Sequence, residues 1–131
     1  MMIPIILDTS SASRGPVSPP VLVKSPAALE LETFVDAANE GKQVSRMVAY
    51  QSATDATKIS VIEWAPGEWS YTTAESDFCQ MLAGCGTFIP NGGVAIPLKA
   101  GDAILMHSGT AGRWVVIETL RRLSLKLPRA L

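Results

Sequence analysis

From Gly41 onward the chain is a succession of short runs that alternate apolar and polar residues, each cut off by a turn signal. Regular alternation over this many short segments argues for a β-sandwich or barrel, because a strand shows successive side chains to opposite faces. VSRMVAYQ and TKISVIEWA read as two strands joined across SATDA as a hairpin. A Pro-Gly turn in APGEW leads into WSYTT and DFCQMLAG. Then come GTFIP, a Pro-Asn-Gly-Gly turn (Pro90 to Gly93), VAIPLKAGD, AILMH, a glycine-rich turn (Gly109 to Gly112), RWVVIETL and RRLSLKL. No stretch after Gly41 carries a convincing helical pattern. Two stretches, Glu63 to Gly86 and Ala100 to Trp114, place polar side chains where a pocket wall would lie.

The segment before Gly41 is less regular. Residues 1–26 read as an arm: an apolar tip (Ile3 to Leu7), then a Ser/Pro/Gly stretch that forms no regular structure. The tip either frays or pairs with a neighbouring subunit; Ile3, Ile5, Ile6 and Leu7 are costly to leave in water, and a homodimer with the arm crossing to its partner is expected. Residues 27–131 then form the barrel domain. Ser25 followed by Pro26 suits a helix start, whereas Leu29, Leu31 and Thr33 alternate with Glu30 and Glu32 as in a strand. The extended form is expected, since all that follows is strand.

At 131 residues, with 47% hydrophobic and 18% charged residues, the chain suits one ordinary globular domain. A formal charge of −1 provides no basis for nucleic-acid binding, which needs clustered Lys and Arg. The apolar start MMIPIILD lacks a positive n-region and is too short to span a bilayer of about 30 Å, so no membrane partner is expected and a cytoplasmic location is. On one continuous strand Cys79 and Cys85 would stand roughly 20 Å apart, beyond disulfide reach, so reduced thiols are expected.

The run PGEW…ESDFCQMLAGCGTFIPNGG…LKAGDAILMHSGTAGRWVVIETLRR resembles the cupin superfamily, and more closely the cupin-3 group of small proteins related to ureidoglycine aminohydrolase. The resemblance implies an all-β fold, a double-stranded β-helix or jelly roll. In metal-binding cupins the first motif supplies two histidines one residue apart and a Glu seven residues before a Gly, and the second supplies one more histidine. With Gly84 as the first Gly, Asp77 takes the Glu position, and Tyr71 and Thr73 take the histidine positions (Ser70 and Thr72 if the gap is one longer). In the second motif His107 stands at a Pro position, Gly109 at the Gly and Gly112 where the last histidine would be. Three of four ligands are therefore absent and the fourth is shortened. With one histidine in the whole chain, no multi-histidine site can form within a subunit, so neither metal nor other cofactor is expected.

Strand alternation sorts the candidate residues. If Asp77 points into the barrel, so do Cys79 and Met81, while Phe78 and Gln80 point out. The same parity turns Trp69, Tyr71 and Thr73 inward, and Gly112, Trp114, Val116 and Glu118 with them. The expected ligand-binding wall is Trp69, Tyr71, Thr73, Asp77, Cys79, Met81 and Trp114, mostly apolar with a few polar groups. A barrel of this size can also simply fill its own interior. Asp77 is the sharpest residue: as an interior carboxylate it needs a partner and could serve as general base or ligand anchor, or as a loop Asp capping amides. Cys79 can act as a small apolar filler, His107 as a surface residue, and Glu118, Arg121 and Arg122 as structural ion pairs or a dimer contact. The expected function is metal-independent binding of a polar small metabolite, such as an amino or hydroxy acid or a sugar. The alternatives are an acid–base enzyme using Tyr71, Asp77 and His107, like the cupin sugar epimerases in residue type only, and a metal-dependent aminohydrolase.

Overall fold

A computed structural model of the chain describes residues 18–129. The alternating runs form eight strands, all paired antiparallel: β1 (Glu32–Asp36), β2 (Lys42–Gln51), β3 (Lys58–Trp64), β4 (Gly67–Thr72), β5 (Ser76–Pro90), β6 (Ile96–Lys99), β7 (Ala103–Met106) and β8 (Ala111–Leu127). They build an all-β jelly roll. Two long strands, β5 and β8, lie side by side along their length and bend from one sheet of the barrel into the other. The C-terminal half of β8 pairs with β3 (Ile62 with Arg122, Trp64 with Leu120) and its N-terminal half with β4 (Trp69 with Trp114). Likewise β5 pairs first with β7 and then with β6. Four runs that read as separate strands are thus two: DFCQMLAG continues into GTFIP, and RWVVIETL into RRLSLKL.

The reason lies at the bend. Register between β5 and β8 shifts three times between Met81 and Gly86, which turns the ladder through the barrel corner without breaking it. Gly84 sits there at φ 82, where a β-carbon would strike the carbonyl of Thr119 and come within 2.7 Å of that of Glu118. A sequence reader takes the glycine for a turn between strands, but it allows one strand to fold over its neighbour.

The segment before β2 satisfies both of its sequence signals in turn. Pro26–Ala28 forms a single 3₁₀ turn, Glu32–Asp36 is extended, and Ala37–Asn39 forms a second 3₁₀ turn. Proline starts the first turn, while Thr33, Phe34 and Val35 favour the pleated surface opposite β2. The segment is tied down by Arg121, whose Nη1 donates to the carbonyls of Pro26 (3.1 Å) and Leu29 (3.0 Å) while its Nε bonds Glu63 at 3.0 Å. Arg121 is therefore a structural ion pair. The expected pairing of Ile3 to Leu7 with a neighbouring subunit falls outside the described residues.

The core is aromatic at its centre. Trp64 stacks on Trp69 (centroids 5.3 Å apart), and Trp114 packs against Trp64 (6.0 Å) and Phe88 (5.0 Å). Phe88 in turn meets Tyr71 edge to face at 5.7 Å. Each such pair contributes about 0.5–1.5 kcal/mol beyond the area it buries. Val44, Met81, Leu98, Met106, Val116 and Leu120 close around them.

Candidate functional site

Strand β4 delivers Trp69 and Tyr71, with Thr73 just beyond it, and β5 delivers Asp77, Cys79 and Met81; all six are buried, and so is Trp114 of β8. The inward parity of these seven residues is what the structure has. Phe78 and Gln80 face out, as alternation requires. Glu118 departs from the pattern: it is exposed, because it lies at the corner where the register of β8 against β5 slips. His107 is exposed too, in the turn after β7, where its carbonyl accepts a hydrogen bond from the Thr110 hydroxyl. Thr73 turns its hydroxyl to the Glu75 carbonyl at 2.8 Å, so it shapes the β4–β5 turn.

Asp77 is fully buried and surrounded by donors. Its Oδ2 accepts from the Tyr71 hydroxyl at 2.6 Å and lies 3.7 Å from Nη1 of Arg122. Its Oδ1 accepts from the Ser124 hydroxyl at 2.6 Å and from the Cys79 thiol at 3.3 Å. Arg122, itself only 4% exposed, also donates to the Cys79 sulfur at 3.0 Å and lies flat over the Trp64 ring at 4.5 Å. Burial pushes the Asp77 pKa up, but the Arg122 charge and the bonds from Ser124, Tyr71 and Cys79 outweigh it and hold the carboxyl below its usual range. Burial and the Asp77 charge together raise Tyr71, and burial pushes the Cys79 thiol up to about 11. Arg122 is held charged by the groups it faces, against the pull of burial. The cluster is thus a buried ion pair dressed with neutral donors, and its protons are fixed at neutral pH.

Ser124 is the member that the sequence reading leaves out, and Arg122 is expected only as a structural ion pair or a dimer contact; the ion pair it forms is with Asp77. The even-numbered parity that turns Trp114 and Val116 inward reaches Arg122 and Ser124 if carried along β8.

The residues do not fit the metal that the resemblance brings to mind. At the four ligand positions stand Tyr71, Thr73, Asp77 and Gly112, and both oxygens of the one carboxylate are taken by protein donors. A guanidinium already balances its charge. Among the described residues no three His, Cys, Asp or Glu side chains gather as a metal-binding group.

Beside this cluster lies a cavity of about 360 Å³. Its inner wall is formed by Trp64, Tyr71 and Arg122, its sides by Val44, Arg46, Ile62 and Lys126, and its roof by Phe34, Asp36 and Asn39. Asn39 holds the roof in place: its Oδ1 accepts from the Ser70 amide at 2.5 Å and its Nδ2 donates to Asp36 at 2.7 Å. Of the wall expected from sequence, only Tyr71 reaches this cavity; Trp69, Asp77, Cys79, Met81 and Trp114 pack behind it as core.

The comparisons agree with this architecture. The fold is shared with the Clostridium difficile EutQ protein (TM-score 0.69, 14% identity, covering 84% of this chain and 88% of that one). It is also shared with a Thermotoga maritima protein described as a predicted oxalate decarboxylase (TM-score 0.63, 20% identity, 82% and 99%). A protein of Salmonella typhimurium LT2 described as ethanolamine utilization protein Q is similar as well (TM-score 0.63, 17% identity, 74% and 80%). No curated protein sequence matches the chain. Among the described residues no helix is long and apolar enough to cross a membrane. Residues 51–123 match the family of EutQ-like cupin domains, and with more than half of its length so matched the chain belongs to that family.

Proposed function

We propose that this cupin binds a polar small molecule, without a metal, in the cavity beside Tyr71 and Arg122. One observation carries the reading: two of the side chains on the inner wall of the cavity, Tyr71 and Arg122, are the same two that grip Asp77. Asp77 then acts behind the site, as a counter-charge that fixes Arg122 and as an acceptor that orients the Tyr71 hydroxyl. Acid–base catalysis has less support. A carboxyl held low and a phenol held high do not form an acid–base pair poised near neutral pH. Thr72, exposed on the cavity wall, provides the test. In a metabolite screen read by thermal shift and titration calorimetry, Thr72→Trp should abolish binding of any hit while leaving Tm unchanged. Hits that bind the variant undiminished, or stoichiometric metal in the purified protein, would refute the proposal.

The outer face supports a homodimer. Leu105, Phe78, Leu125 and Ile59 stand opposite one another across β7, β5, β8 and β3, an apolar row on the outside of the barrel. Phe78 is 42% and Leu105 47% exposed. Val23, Gln80 and Leu123 join Ile59, Phe78 and Leu125 around another cavity of about 180 Å³. A self-complementary apolar strip suits a two-fold contact between copies. Two free cysteines agree with a reducing, cytoplasmic setting.

A further inference from the structure

We propose that the cavity recognises a small organic monoanion: a carboxylate carried on an apolar body. This rests on the reading of the cavity as a ligand site and names what that site takes. The register places the cations. Arg46 of β2 stands opposite Ile62 of β3, and Ile62 opposite Arg122 of β8, so the two guanidiniums flank one apolar residue on a single interior face. Lys58 and Lys126 pair on the same face.

Arg46, Arg122 and Lys126 line the cavity with one carboxylate, Asp36, which accepts from the Ala38 amide and Asn39. Asp77 behind them is enclosed by its donors, Glu75 lies 4.0 Å from Lys126, and Glu32, opposite Arg46 in register, is exposed. Arg46 is the uncommitted cation of the lining: it lies over the Phe34 ring at 4.5 Å and has no carboxylate within ion-pairing distance among the described residues.

Arg122 lines the same cavity, its Nη1 engaged by Cys79 and Asp77, while Arg46 and Lys126 stand on the cavity's partly exposed side. Planar guanidiniums suit the two oxygens of a carboxylate. Val44, Ile62 and Trp64 supply an apolar bed for the rest of the molecule, which argues against inorganic phosphate as the preferred occupant.

The test is titration calorimetry of the full chain at one low ionic strength with benzoate, benzamide, benzylamine and inorganic phosphate. Benzoate should bind best, weaken with added salt, and lose about tenfold or more in Arg46→Gln and again in Lys126→Gln. Both positions are partly exposed, so these variants should fold, which circular dichroism confirms or denies before titration. Benzamide or benzylamine binding as tightly as benzoate would overturn the anion assignment and leave the ligand cavity standing. Phosphate binding as tightly would overturn the apolar-body part, and an unchanged Arg46→Gln would overturn the role of Arg46. If none of the four binds, and Thr72→Trp also leaves every screening hit bound, both the inference and the reading beneath it fail.

Discussion

At the scale of single residues the molecule turns on Asp77 and Arg122. Removing one member of a buried pair strands the other, a loss of about 3–5 kcal/mol, whereas replacing both by apolar groups of similar size is near neutral. Asp77→Leu should therefore destabilise strongly, and adding Arg122→Met should restore most of the loss. Chemical denaturation of the two singles and the double checks this; two losses that merely add would mean the residues are not coupled. The acid side follows from the same carboxyl. Its pKa is lowered from 3.8 in the folded state, so the unfolded chain takes up the proton first. The stabilisation is present above that value and is lost as pH falls below it. The double variant should accordingly show a shallower loss of stability below about pH 4 than the native chain. The inward set from Trp69 to Met81 was legible in the sequence, because a period of two is unforgiving. Arg122 was legible as an ion-pairing residue but not as an interior one, and Ser124 not at all, because one dimension does not show that their partner carboxylate lies on a distant strand.

Among the elements, β5 and β8 decide the architecture, and Gly84 decides how they cross the corner. Alanine there must adopt φ near +82° and thrust its β-carbon at the carbonyls of β8. Gly84→Ala should cost about 2 kcal/mol or more. For a chain of this size that is a fall in Tm of roughly 6–10 °C. An unchanged melting curve would show that the corner has room to relax. Strand existence was readable almost everywhere, since turn residues bracket each run. Strand continuity was not, because a bulge and a chain reversal use the same glycine, and only the partner strand distinguishes them. Tyr71, Asp77 and Cys79 meet in one cluster, yet of the expected wall only Tyr71 lines the cavity. Parity reports which side of a strand a residue occupies, but not whether its neighbours leave a space there.

For the molecule as a whole, the apolar row on the outer face and the charged cavity within draw on opposite faces of β3 and β8. Phe78→Lys should shift the protein to the monomer in light scattering, with binding at the cavity retained. A monomeric native chain, or an unaltered dimer in the variant, would remove the outer row from any role in assembly. One further consequence follows from β8, which pairs with β3, β4 and β5. Hairpins such as β2–β3 and β5–β7 can form from nearby residues, yet the two sheets share no closed barrel until Ala111–Leu127 arrives. During synthesis, at about 5–20 residues per second, Arg122 and Ser124 follow well after Asp77, which waits several seconds for its partners. The interior ion pair therefore closes long after its carboxylate is made. Before then, the half-built barrel exposes its tryptophans and a bare carboxylate together, a state in which the carboxylate keeps water in the interior until the arginine displaces it.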